Sequence, residues 1–119
     1  LSIPPADPAL FGLAGADRDW VDRRQTPHPA GVYQDPLPFD AERIDTLPRT
    51  FIDCTSPRLA TIEVMRRRVR EAPGWNVVEL ATGHDPMITE PVALARHLLA
   101  CVSESESLAT SGAPRGVIR

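Results

Sequence analysis

The period of the apolar positions changes twice in the second half of this chain. Thr50-Phe51-Ile52-Asp53-Cys54 is a short β-prone run. The spacing then turns helical, with Leu59, Ile62, Met65 and Val69 on one apolar face and Arg66, Arg67, Arg68 and Arg70 spread largely over the others. Thr55-Ser56-Pro57 offers a capping hydroxyl followed by a proline suited to a first helical turn, and Pro73-Gly74 ends the segment. Asn76 to Leu80 reads as a second strand. Thr89 and Pro91 open a second helix, whose inner stripe is Leu94, Leu98 and Val102 with Leu99 beside it. The pattern predicts adjacent parallel strands at 50–54 and 76–80 and helices near 58–71 and 90–102. The order strand, helix, strand, helix predicts an α/β fold built of right-handed crossover units.

Residues 1–48 behave differently. They hold Pro4, Pro5, Pro8, Pro27, Pro29, Pro36, Pro38 and Pro48, eight of the 13 prolines, and each interrupts regular structure. Gly15 to Arg24 can form one short helix, and Asp40 to Asp45 a helical turn. Phe11, Leu13, Trp20, Val21 and Tyr33 are the apolar residues that must pack on something. This half reads as an irregular cap or lid segment, 49–102 as a βαβα unit, and the polar, aperiodic 103–119 as a mobile, disordered tail.

Two parallel strands are too few to stand alone, because such sheets need neighbours on their edges and cover on both faces. The chain, at 119 residues, is short for an independent α/β enzyme. It is expected to be poorly stable in isolation and prone to associate. No apolar run approaches the roughly 18 to 20 residues of a membrane span. The first residues carry neither the basic start nor the apolar block of a secretory signal, so the expected location is cytoplasmic. The net charge of −3 supplies no general attraction to nucleic acid or anionic lipid. Cys54 and Cys101 show no ligand-type spacing and read as reduced thiols.

Among candidate chemical groups, His84 stands out. It lies in Gly83-His84-Asp85, just past a strand's C-terminal end, where open α/β sheets place their chemistry. It can be a general base, with an unperturbed pKa suited to proton transfer near neutrality, or a surface loop histidine. His84-Asp85 also matches the core of HD-type metal phosphohydrolases, but His28 and His97 fall in unrelated contexts, so no metal site is expected. Cys54 could act as a nucleophile beside His84, or simply pack. The arginine run 66–68 with Arg70 could bind phosphate or an acidic partner, yet on a helix it covers a broad solvated face. Trp20 and Trp75 read as anchors. Ser56, Ser103, Ser105 and Ser107 lie in no Gly-x-Ser-x-Gly elbow, so no serine here is a hydrolase nucleophile.

The segments FIDCTSP, RRRVREAPGW and VVELATGHDPMITEPVALARHLL, together spanning Arg49 to Leu99, carry a resemblance. They resemble the C-terminal end of bacterial α/β-hydrolase-fold proteins related to plant salicylate methylester esterases and hydroxynitrile lyases. ADRDWVDRRQTPHPAGVYQDPL looks like the end of their cap, so the resemblance covers most of residues 8–102. It implies that His84 is the triad base. It also implies that the nucleophilic serine and the oxyanion loop lie N-terminal to the residues present. The family's usual triad aspartate falls near Pro57. Asp53, inside the strand, is the weaker substitute; alternatively the acid follows an earlier strand outside this chain.

The implied function is that of the C-terminal portion of an esterase-like, serine-dependent hydrolase, inactive alone and using no cofactor. Its substrate would be a small ester or carbonyl compound, bound once the N-terminal part is supplied. No nucleic acid or membrane partner is expected. The alternative is a non-catalytic remnant or interaction module that pairs, or self-associates, through an exposed sheet edge.

Overall fold

A computed structural model describes the backbone of residues 1–110 and the side chains of residues 1–103. The fold is mixed α/β. Its centre is a two-stranded parallel sheet of β3 (Arg49–Cys54) and β4 (Trp75–Leu80), in register from Arg49 opposite Trp75 to Cys54 opposite Leu80. β-branched and aromatic residues suit such a half-covered, pleated surface, and the two expected strands are found as a parallel pair.

The crossover between them differs from expectation. The segment after β3 turns at Ser56 and Pro57, passes through a 3-10 turn at Ala60–Ile62, and becomes helical only in α4 (Glu63–Glu71), not at 58. The reason is where the backbone donors go. The Thr55 N–H donates to the Leu80 carbonyl at 2.9 Å and the Ser56 N–H to the Thr82 carbonyl at 3.0 Å. Both residues therefore prolong the pairing with the other strand, and the Thr55 hydroxyl also reaches the Leu80 carbonyl instead of capping a helix.

The face of α4 also departs from the predicted stripe. Val69 is buried as expected, but Met65 is exposed, and Arg66, assigned to the solvated side, is only 1% exposed. Asp53, in the strand beneath, is fully buried and requires a cation. The helix turns to supply one.

Residues 1–48 hold β1 (Ser2–Ile3) and β2 (His28–Pro29), paired antiparallel, and three short helices, α1 (Gly15–Asp22), α2 (Gly31–Gln34) and α3 (Ala41–Asp45). The helical segments expected at 15–24 and 40–45 are present as α1 and α3. Asp40 caps α3 by accepting the Arg43 N–H at 3.1 Å. The β1–β2 pair and α2 have no counterpart in the periodicity. Of the five apolar residues expected to pack, Leu13 is buried and Phe11 and Val21 are half-buried, but Trp20 and Tyr33 stay exposed. Trp20 is instead covered by the Arg24 guanidinium, 4.2 Å from its ring.

After β4 come α5 (Pro86–Thr89) and α6 (Pro91–Thr110). The tail expected from Ser103 is helical through Thr110, and the rest of it, 111–119, lies outside the described residues. Alternating serine and glutamate is no barrier to helix once the preceding turns are formed. No described helix is long and apolar enough to cross a membrane.

α6 packs chiefly on α5, and of its expected inner stripe only Leu94 is half-buried: Leu98 is 53% and Val102 57% exposed, as is Leu99 at 67%. Two strands are too narrow to cover this helix. Among the described residues the buried apolar side chains are Leu13, Ala30, Cys54 and Val69, with the rings of Pro8 and Pro86, a small core for so much backbone. Exposed leucines and valines on α6, together with outer edges of β3 and β4 that pair with no strand among the described residues, favour association. Sedimentation velocity is therefore expected to show the isolated chain passing to larger species as concentration rises; a monomer at every concentration would contradict this.

Candidate active site around His84

β4 ends at Leu80, and the next residues are held by a dense local network. The Thr82 N–H donates to the Leu80 carbonyl at 2.8 Å, and the buried Thr82 hydroxyl lies 2.6 Å from that of Thr89. The Thr89 hydroxyl donates in turn to the Asp85 carbonyl, which also accepts the Ile88 and Thr89 N–H groups as α5 begins. His84 thus sits on a turn fixed on one side by the strand and on the other by a helix start. It is half-buried.

A second support comes from the far end of the sequence. Pro8–Phe11 forms a 3-10 turn, capped by Asp7 at its start and by Gly12, at φ +87°, at its end. Its Phe11 carbonyl accepts the His84 N–H at 2.8 Å, and the Phe11 ring lies 5.9 Å from the imidazole, tilted by 37°. Among the described residues no side chain hydrogen-bonds the His84 imidazole, so both ring nitrogens are open to groups from elsewhere.

Asp53 occupies a different environment. Its Oδ1 binds Arg66 Nε and its Oδ2 lies 2.6 Å from Arg70 Nη2. Arg66 also reaches Glu63 at 2.7 Å, and Arg70 reaches Glu79 at 2.7 Å. The hydrogen bond that Arg66 donates to Asp53 holds its guanidinium above the ordinary pKa against the opposing effect of burial, with Glu63 adding to the rise. Both carboxylate oxygens of Asp53 are therefore taken by α4, and none of its hydrogen bonds goes to His84. The arginine run divides accordingly: Arg66 and Arg70 are structural, while Arg67 and Arg68 face solvent. An aspartate inside an apolar strand was the available signal for this pair, since a buried carboxylate demands a cation.

Cys54 ends β3 as a buried thiol. Burial pushes its pKa up, Asp53 and Asp85 add to the rise, and Arg66 opposes it. A thiol so placed carries little thiolate at neutral pH, unlike a nucleophilic cysteine. Iodoacetamide at pH 7.5 should accordingly modify Cys54 much more slowly in the folded chain than in urea; equal rates would contradict the burial.

The other candidates are dispersed. His28 lies on β2, its ring 5.8 Å from Tyr33, and His97 lies on α6. Trp75 is half-buried with the Arg49 guanidinium 5.2 Å from its ring. Ser56 is exposed, and Ser103 donates to the Leu99 carbonyl. The side chains of Ser105 and Ser107 lie outside the described residues. Among the described residues no three His, Cys, Asp or Glu side chains are grouped to hold a metal ion.

A parallel β-α-β unit with a histidine on the turn after its second strand is joined here by a sequence relationship to an esterase. The relative is the carbendazim hydrolyzing esterase of Nocardioides sp. (strain SG-4G), 30% identical over 98 residues. The match takes in 82% of this chain but 40% of that protein, so the chain spans about two fifths of the relative's length. No family model matches the sequence, and no solved structure does.

Proposed function

We propose that the chain is the C-terminal part of a serine-dependent α/β hydrolase acting on carboxylic esters, with His84 as its general base. The observation that carries this reading is the placement of His84: past the end of a parallel strand, braced from two sides, with an imidazole that no described side chain occupies. In the proposed reaction, His84 accepts the proton of a serine hydroxyl as the serine attacks the ester carbonyl, then returns it to the departing alcohol. No metal or organic cofactor takes part. The serine, the oxyanion donors and the acid come from polypeptide outside these residues, since Asp53 is committed to Arg66 and Arg70. The kinship to salicylate methylester esterases and hydroxynitrile lyases belongs to the same proposal, as does a cytoplasmic location.

The exposed apolar stripe of α6 and the narrow sheet support the same conclusion, because further strands are what would cover them. They also favour a second reading, in which the chain is an interaction module that uses these surfaces on another protein. Extending the chain with the coding sequence upstream and assaying p-nitrophenyl acetate separates the two. The hydrolase reading expects turnover from the extended protein and only the buffer rate from the 119 residues. An extended protein with no ester hydrolysis would overturn it.

A further inference from the structure

The contact between the N-terminal turn and the histidine loop is closer than side chains permit. A Cβ on Gly83 would overlap the Phe11 carbonyl oxygen and lie 3.1 Å from Gly12 Cα. A Cβ on Gly12 would meet Pro57 Cδ at 2.8 Å and Gly83 Cα at 3.1 Å. Three separate segments, those of Gly12, Pro57 and Gly83, therefore meet next to the turn that carries His84: Gly12 and Gly83 approach backbone to backbone, and the Pro57 ring lies against Gly12.

The N-terminal side of this crossing is firmly built. Pro8 and Leu13 are buried, the Gly12 N–H returns to the Ala9 carbonyl at 3.1 Å, and the Leu13 N–H returns to the Pro8 carbonyl at 3.2 Å. The turn presents two groups to His84. The Phe11 carbonyl fixes its backbone, and the Phe11 ring lies against its imidazole. A tilted ring pair restricts the χ angles of the histidine without consuming either nitrogen. A base that must meet a nucleophile and an acid from other segments needs that arrangement, because a misplaced ring forfeits much of the rate.

We infer that Phe11 is the positioning residue of His84: its carbonyl sets the height of the histidine loop and its ring sets the imidazole's orientation. The inference rests on the reading of His84 as the base, yet its geometry can be measured without any activity.

The probe is diethylpyrocarbonate, applied to the 119-residue chain and read by mass spectrometry, with His28 and His97 as internal references. Phe11→Leu keeps the backbone hydrogen bond and an apolar side chain but removes the ring. It should make His84 modification several-fold faster while leaving His28 and His97 unchanged, and Phe11→Tyr should restore the parent rate. Gly83→Ala should also raise amide hydrogen exchange in the peptide containing His84, because the new methyl evicts the Phe11 carbonyl. An unchanged His84 rate in Phe11→Leu, an equal rise at all three histidines, or a failure of Phe11→Tyr to rescue would each overturn the proposal. In the extended protein Phe11→Leu should lower kcat with KM little altered. Failure of the catalytic reading would show separately, as an ester rate indifferent to His84→Ala while the labelling pattern stands.

Discussion

Asp53→Ala is expected to unfold the chain. The substitution removes a carboxylate that is 0% exposed and leaves Arg66, itself 1% exposed, buried without its main partner. Breaking one side of a buried ion pair costs about 3 to 5 kcal/mol. Arg70 adds little to that figure, because it is a third exposed and solvent screens it. Whole domains have only about 5 to 15 kcal/mol in hand, and a core with so few buried apolar residues has less. Far-UV circular dichroism with urea titration should show no cooperative transition for Asp53→Ala. The double change Asp53→Leu with Arg66→Met should recover much of the stability, since apolar replacement of a whole buried pair is often neutral or better. A single variant as stable as the parent would mean that the network is ornamental.

The same pair has a pH signature. Arg66 is the group with the raised folded-state pKa. Its contribution is therefore fully present below the unfolded guanidinium pKa and is lost only as pH climbs through the still higher folded value. Raising the pH from 7 to about 10 stays below both. Any fall in urea midpoint over that range comes from the buried Cys54 thiol, whose raised pKa costs stability as the unfolded thiol ionises. It should persist in a Cys54→Ala control only if this network weakens.

The parallel pair was legible because Phe51-Ile52 and Val77-Val78 are apolar, β-prone runs separated by a helical period. The turn at His84 was legible because a Gly-His-Asp segment directly follows such a run. What escaped the periodicity were contacts between distant residues. α4 begins late because Thr55 and Ser56 give their N–H groups to Leu80, at the end of β4, and to Thr82 just past it. The bond from Arg66 to Asp53 overrode the amphipathic assignment of α4, since the cost of burying a lone carboxylate exceeds the gain from placing one more apolar residue inward. The helical period of α6 was read correctly, but its burial was met only in part at Leu94, because a two-stranded sheet leaves Leu98, Leu99 and Val102 open to solvent. The Phe11 contact had no local signal at all: it joins a proline-rich segment to the loop after β4, and only the glycines at 12 and 83 hint at a close crossing.

If His84 is the general base proposed for it, the N-terminally extended protein carrying His84→Ala should lose its hydrolysis of p-nitrophenyl acetate. General acid–base catalysis typically contributes on the order of 10² to 10⁴ in rate, and loss of a triad member can cost more. The side chain is half-buried on a turn whose backbone bonds do not involve the imidazole, so the variant should keep its circular dichroism spectrum while nearly all turnover is lost. His28→Ala and His97→Ala, on β2 and α6, should leave the rate close to that of the parent. A His84→Ala protein within about threefold of the parent rate, far short of the loss expected for a general base, would show that His84 is not the base.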